Sequence, residues 1–220
     1  GPGDEVIVPS FTYVATANAV EYCGARPVFC DIDLATFNLD VAAVERLITP
    51  RTRGILAVSL FGLAADLPAL GELASRRRLF LMEDAACALG ATIQGRHTGA
   101  GCVASVYSLH PRKAITTGEG GMITTDDAAL AELIGKLRNH GAEATDLERH
   151  HRQGGSLLPA FNLLGFNYRL TDLQGALGVA QMERLDEILA GRRAGALAYG
   201  QLFAEAPAVA PPLVPADFGH

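Results

Sequence analysis

The sequence has no long apolar run, no paired-cysteine motif and no excess of basic residues, and each absence removes a class of protein. No run approaches the ~18 apolar residues that a membrane-spanning helix needs. A net charge of -6 and a pI near 5.5 argue against nucleic acid as a main partner, because phosphate-binding surfaces are usually basic. The four cysteines show no CxxC or Cys/His ligand spacing, so we expect reduced thiols in a cytoplasmic protein rather than disulfides or zinc.

The chain is 49% hydrophobic, and its predicted strands and helices alternate. This alternation predicts the α/β class, with a mostly parallel sheet covered by helices on both faces. The predicted strands are residues 6–8, 27–30, 54–60, 79–82, 103–109 and 122–125. The predicted helices are residues 16–22, 40–47, 67–76, 126–137 and 171–199, with Asp40, Asp66 and Asp126 at three of the N-termini.

Two of these strands lead to side chains that could take part in catalysis. Lys113 lies in a turn after strand 103–109, and Asp84 follows strand 79–82. Ligands of parallel sheets bind beyond the carboxyl ends of the strands, so both side chains are expected at one edge. A lysine that forms a Schiff base and a carboxylate that pairs with a protonated pyridine nitrogen are what a pyridoxal 5'-phosphate (PLP) site requires. Alone, Lys113 would be a surface charge and Asp84 a helix cap; together they favour PLP.

Ser108 and Tyr13 are further candidates at this edge. The Ser108 hydroxyl could donate to the cofactor's phosphate, or bond to its own strand end. Tyr13 follows the first strand, where an aromatic ring can stack on a planar cofactor, although core packing explains it nearly as well.

Two other motifs indicate no additional site. The glycine-rich stretch 118–121 lacks the spacing and the terminal Lys-Ser/Thr of a nucleotide phosphate loop, and a strand is predicted after it instead of a helix. His140, His150 and His151 form no helical i, i+4 pair with a carboxylate, so we predict solvated loop histidines and no metal site.

Six segments in order resemble the DegT/DnrJ/EryC1/StrS sugar aminotransferases, which belong to the fold-type-I PLP enzymes. Such an ordered series is highly specific, and it covers nearly the whole chain. The segments are residues 1–19, 31–38, 83–86, 108–121, 137–141 and 165–170.

The resemblance implies transfer of an amino group, usually from L-glutamate, to a keto carbon of a nucleotide-linked sugar. It implies that Lys113 carries the Schiff base and shuttles the proton, and that Asp84 holds the pyridine nitrogen. It further implies that Tyr13 stacks on the ring, that Ser108 contacts the phosphate, and that Asn167 reaches the cofactor of a partner subunit in a homodimer. Arg169 would assist there or bind a substrate acid, and the segment 142–158 would contact the nucleotide-sugar.

Two positions depart from the family pattern. Cys87 stands where relatives often carry Gln or His near the cofactor's phenolic oxygen, and a thiol is a weaker donor. Ser59 stands where His is frequent.

The resemblance also implies a domain organisation. Residues 1–200 would be the PLP-binding large domain, and residues 201–220 would begin the connection to a small C-terminal domain that is largely absent. Relatives carry a Ser-Gly-Thr segment upstream of residue 1 at the phosphate, so we expect the 220-residue chain alone to bind the cofactor poorly and turn over little. Two alternatives are a PLP-dependent sugar dehydratase, in which histidine usually replaces the lysine, and a non-catalytic or regulatory protein that retains the fold.

Overall fold

The computed structural model describes residues 1–143, 160–206 and 208–219, and its centre is a six-stranded sheet. The strand order is β2-β1-β3-β4-β7-β8, and all neighbours are parallel except β7 and β8. The predicted α/β class with a mostly parallel sheet is therefore confirmed. The strands of this sheet are β1 (Glu5–Pro9), β2 (Arg26–Cys30), β3 (Thr52–Val58), β4 (Phe80–Asp84), β7 (Ala104–Ser108) and β8 (Gly121–Thr124).

Alternating side chains of the central strands form a core on each face of the sheet. On β1, Ile7 packs into a large cluster with Ile55 and with Leu70 of the third helix. Val6 and Val8 point the other way and pack with Val20 of the first helix. The helices are α1 (Ala15–Tyr22), α2 (Val41–Leu47), α3 (Leu67–Arg77), α4 (Ala128–Leu137), α5 (Asp172–Met182) and α6 (Leu185–Ala204).

The prediction of one long helix over residues 171–199 is wrong. The structure has two helices there, α5 and α6, which are separated at Glu183 and Arg184. The backbone of Arg184 leaves the helical region (φ -107°, ψ 10°), and its guanidinium pairs with Glu187 in the first turn of α6 at 2.9 Å. The apolar pattern runs on through this break, which is why periodicity did not reveal it.

The predicted N-terminus of α4 was one residue early. Asp127, not Asp126, caps the helix, and its carboxylate accepts the N–H groups of Ala129 and Leu130 at 2.9 and 3.1 Å. Asp127 has the extended backbone (φ -87°, ψ 106°) that an N-cap requires. The caps predicted at Asp40 and Asp66 are confirmed, because each side chain accepts a backbone N–H of its helix.

A small antiparallel sheet of order β6-β5-β9 was not predicted. Gln94 and Gly95 join its first two strands with φ of 51° and 74°, the conformation of a tight two-residue hairpin turn. Strands of two residues are too short for a pattern of alternation to be read. They are β5 (Thr92–Ile93), β6 (Arg96–His97) and β9 (Phe218–Gly219). Within the described part of the chain, no helix is long and apolar enough to cross a membrane.

Candidate active site

Lys113 lies in the turn that follows β7, and contacts fix it from several sides. Its N–H donates to the His110 carbonyl at 2.9 Å. Its own carbonyl accepts from Arg192 Nη2 of α6 at 2.7 Å. Its Nζ donates to Cys87 Sγ at 3.0 Å. Because Cys87 belongs to the turn after β4, the loops beyond two adjacent parallel strands meet at the lysine amine.

The glycine-rich turn after Lys113 is held by α5. The Gln181 side-chain amide donates to the Thr116 carbonyl, and its Oε1 accepts the Thr116 N–H at 3.1 Å. Gly120 has a φ of 149°, and a Cβ there would lie 2.9 Å from Leu170, so the turn requires glycine at this position. Strand β8 follows the turn, as expected, where a nucleotide phosphate loop would have a helix.

Asp84 ends β4 at the same edge, and both of its carboxylate oxygens accept a hydrogen bond. Thr16 Oγ1 donates to Oδ2 at 2.9 Å, and the Ala86 N–H donates to Oδ1 at 3.1 Å. The hydroxyls of Thr12 and Thr16 lie 3.0 Å apart. Sequence reasoning missed both threonines; the one available indication was their i, i+4 spacing beside a helix whose first turn has no side-chain cap.

Glu83, one residue earlier, points to the opposite face of the sheet and is fully buried. Its carboxyl accepts hydrogen bonds from the hydroxyls of Ser59 and Ser105, the second at 2.9 Å. Burial raises the pKa of Glu83, and the serine hydrogen bonds partly oppose that shift. Burial, together with the charge of Glu83, also raises the pKa of the Cys102 thiol to about 12. Ser59, singled out by its departure from the family pattern, therefore lies in a buried polar cluster with Glu83.

Ser108 and Tyr13 both lie at the carboxyl edge of the sheet. Ser108 is the last residue of β7, and its Oγ accepts the His110 N–H at 3.3 Å, which leaves the hydroxyl hydrogen free to donate elsewhere. Tyr13 lies in the turn between β1 and α1 with 75% of its surface exposed, so it is not a core residue.

Asn167 and Arg169 lie elsewhere in the chain, beside the end of α4. Asn167 forms an isolated antiparallel bridge with Asn139, and Arg169 donates to the Asn139 side chain at 2.8 Å. Phe166 and Tyr168 stack with ring centroids 4.9 Å apart. No described contact joins Asn167 to Lys113 or Asp84.

Of the three loop histidines, His140 is the one among the described residues. Its N–H donates to the Phe166 carbonyl at 2.8 Å. His150, His151 and most of the segment 142–158 lie outside the described residues. Among the described ranges, no group of three or more His, Cys, Asp or Glu side chains is placed to hold a metal ion.

A cavity of about 300 Å³ opens beside the lysine. Lys113 and Cys87 form part of its wall, with Phe61 from the turn after β3. Arg112 and Arg192 also line it, so the cavity combines an aromatic ring with cationic groups. Such a lining suits a planar ligand that carries negative charge.

A mostly parallel α/β sheet that presents a lysine and a carboxylate beyond adjacent strands has the arrangement that a PLP-dependent transferase uses. The chain belongs to the DegT/DnrJ/EryC1/StrS aminotransferase family, which it matches over residues 1–218. The resemblance inferred from the six segments is thus confirmed. Solved structures similar to this chain include one in a PLP form.

Two of the curated relatives are named for GDP- or UDP-linked sugars. The GDP-perosamine synthase of Caulobacter vibrioides is 50% identical over 192 residues, which cover 87% of this chain and 49% of that protein. The UDP-N-acetyl-3-dehydro-alpha-D-glucosamine 3-aminotransferase of Acidithiobacillus ferrooxidans is 41% identical over 202 residues, 91% of this chain and 51% of that protein. S. venezuelae DesV, solved in complex with a ketimine intermediate, superposes with a TM-score of 0.90 and 39% identity over 100% of this chain and 56% of that chain. The chain spans about half the length of the curated relatives it matches.

Proposed function

We propose that the protein uses PLP to transfer an amino group, from L-glutamate, to a keto carbon of a nucleotide-linked sugar. The observation that carries this proposal is the position of the Lys113 amine, which lines the cavity and contacts the turn that follows Asp84. The relatives named for GDP- and UDP-linked sugars support the substrate class.

Lys113 is suited to be the attachment point because the chain offers almost no other. Lys113 and Lys136 are the only lysines in the sequence. Lys136 pairs with Glu132 on α4 at 2.5 Å, and this hydrogen bond raises the pKa of Lys136 and favours its charged form. Lys113 lines the cavity and Lys136 is not among its lining residues, so Lys113 is the better candidate.

The residues at the sheet edge fit the parts of the cofactor. Asp84 has one donor on each oxygen, and a carboxylate has about four acceptor positions, so capacity remains for a ring N–H. The free hydroxyl hydrogen of Ser108 can donate to the phosphate, and the exposed ring of Tyr13 can cover the cofactor ring. Cys87 lies beside the amine that carries the cofactor. When bound, PLP supplies an electron sink for charge on the carbon next to the transferred nitrogen.

Lys113 then has two tasks in the proposed reaction. It would hold the cofactor through Nζ, and its free amine would take up and return the proton of the carbon next to the transferred nitrogen. The Arg192 contact to its carbonyl and the Gln181 contacts to the following turn hold the lysine backbone while its side chain moves.

We propose a cytoplasmic homodimer, with Asn167 reaching the phosphate in the partner's site. Large apolar side chains surround Asn167 on the surface: Leu164 is 93% exposed, and Phe166 and Tyr168 are also exposed. A partner subunit would remove this apolar surface from water. The division into a large domain over residues 1–200 and a connection over residues 201–220 is part of the same proposal; α6 ends near it, at Ala204.

Borohydride trapping tests the attachment point. The protein, expressed at the full length of its reading frame, is incubated with PLP, reduced and digested, and the labelled peptide is sequenced by mass spectrometry. We expect the label on Lys113, its loss in Lys113→Ala, and its retention in the matched control Lys136→Ala. A label on Lys136, or none at all, would overturn the assignment.

A second experiment tests the reaction. The protein is incubated with PLP, glutamate and a panel of GDP-, UDP- and dTDP-linked 3-keto and 4-keto hexoses. The molecular masses of the products are then measured by mass spectrometry. An amino sugar supports the proposal, a deoxygenated sugar without new nitrogen supports the dehydratase alternative, and a labelled but inactive protein supports a non-catalytic role.

A further inference from the structure

Thr16 is the buried donor to Asp84, and the other contact of its hydroxyl among the described residues is with the Thr12 hydroxyl. The side chain is 3% exposed, and α1 has no side-chain hydrogen bond at its N-cap. A threonine in a helix usually bonds back to a carbonyl of the preceding turn. Here Thr16 Oγ1 instead donates to Asp84 Oδ2 at 2.9 Å, across 68 residues of sequence.

The two threonine hydroxyls form a chain with one direction. A hydroxyl carries one hydrogen and two lone pairs. Because the Thr16 hydroxyl donates its one hydrogen to Asp84, Thr12 must be the donor in the 3.0 Å contact between the two threonine hydroxyls. The order is therefore Thr12 to Thr16 to Asp84, and each donation strengthens the next.

This chain ties the carboxylate to the turn that carries Tyr13. Thr12 and Thr16 flank Tyr13 in the sequence, and the Thr16 N–H also donates to the Tyr13 carbonyl at 3.1 Å. With the Ala86 N–H on the other oxygen at 3.1 Å, the rotation of the Asp84 carboxylate is fixed from both sides.

We propose that Thr16 is a positioning residue that orients Asp84 and the Tyr13 turn toward one bound ring. Thr12 supports this role by donating a hydrogen bond to the Thr16 hydroxyl. The inference rests on the proposed PLP function and extends it to two residues that do not touch the reacting atoms. A group that acts through Asp84 affects how firmly and in which orientation the cofactor is held, more than whether Lys113 can react.

The test compares Thr16→Val, which removes the hydroxyl at nearly constant volume, with Thr16→Ser, which retains it. Apparent PLP affinity is measured from the absorbance of the Lys113-bound cofactor, and visible circular dichroism per bound cofactor reports how firmly the ring is oriented. We expect Thr16→Val to weaken PLP affinity about tenfold, as for one hydrogen bond to a charged group, and to lower the circular dichroism per bound cofactor. Thr16→Ser should restore both, and Thr12→Val should give a smaller loss in the same direction.

The outcomes separate the two proposals. If borohydride places no PLP on Lys113 of the unsubstituted protein, the proposed function fails and this inference fails with it. If PLP is attached and Thr16→Val matches the unsubstituted protein in affinity and dichroism, only the inference is overturned. A purely structural role, which also overturns it, would lower the unfolding temperature of the PLP-free protein and leave the dichroism per bound cofactor unchanged.

Discussion

Glu83 and Asp84 are consecutive acids at the end of one strand, yet they have opposite surroundings. Asp84 lies at the carboxyl edge of the sheet, where a threonine hydroxyl and a backbone N–H hold its oxygens. Glu83 faces the interior, is 0% exposed, and is held by the hydroxyls of two serines. Since a strand alternates its side chains between faces, one step along β4 separates a proposed ligand-binding acid from a structural one.

The difference shows what hydroxyl donors do in each place. On the Glu83 side they satisfy a buried acid that would otherwise be costly to the folded state. On the Asp84 side they orient an acid that keeps acceptor capacity for a ligand. Substitution of Asp84 should therefore mainly reduce cofactor binding and activity, whereas substitution of Glu83 should mainly reduce the stability of the fold.

The largest effect is expected at Asp84. Asp84→Ala removes the partner of the cofactor's ring nitrogen, and we expect activity to fall by roughly a hundredfold, since the loss of one partner of a charge pair costs about 3 kcal/mol. The measurement is steady-state turnover with saturating PLP. In urea the PLP-free variant should lose less stability than Glu83→Ala, because the Thr16 hydroxyl is the one buried side-chain donor that loses its acceptor.

Glu83→Ala should have the reverse profile. It leaves a cavity and two serine hydroxyls without their acceptor, so the free energy of unfolding should fall by about 2–4 kcal/mol. Urea unfolding of the PLP-free protein measures this loss, and Glu83→Gln, which keeps the volume, is the control. Loss of PLP attachment with unchanged stability would contradict the division of roles.

The pH dependence of stability sharpens the comparison further. Because burial raises the pKa of Glu83 above its ordinary value of 4.5, the folded protein keeps this proton where the unfolded chain has lost it. The stabilising contribution of Glu83 is therefore complete below pH 4.5 and declines as the pH rises through the raised pKa. The unfolding free energy of the unsubstituted protein minus that of Glu83→Gln should fall over this range. A difference that does not change with pH would mean that the pKa of Glu83 is not raised in the folded protein.

The smallest effect is expected at Cys87, on the Asp84 side. A thiol is a weak acceptor for the Lys113 amine, so Cys87→Ala should change PLP affinity by no more than about fivefold, the effect of one neutral hydrogen bond. Cys23→Ala is the matched control, because Cys23 is also a free, exposed cysteine. A loss as large as that of Asp84→Ala would show that the thiol has a larger part in the site.

The sheet and its functional edge could be predicted because they depend on local pattern. Alternating strands and helices predict a parallel sheet, and residues at or soon after the ends of its strands, such as Asp84 and Lys113, are then expected at one edge. The break at Arg184 and the two-residue strands lacked such a pattern. At Asp127 the preceding aspartate offered an equally good cap in the sequence, and only the backbone conformation distinguishes the two.

The hydrogen-bond partners could not be predicted, because they are distant in the sequence. Thr16 and Asp84 are separated by 68 residues, Glu83 and Ser59 by 24, and Glu83 and Ser105 by 22. A hydroxyl gives no sequence pattern that names its acceptor. Which acid is buried and which lies open to the carboxyl edge of the sheet depends on how β4 sits between β3 and β7, which the order of elements along the chain leaves open.

A crystal structure of the protein with PLP is the most direct test of the claim that Lys113 and Asp84 serve one small molecule. We expect continuous density from Lys113 Nζ to the cofactor, with an Asp84 oxygen within about 3 Å of its ring nitrogen. A cofactor attached to Lys113 with its ring nitrogen turned away from Asp84, or density at neither residue, would contradict it.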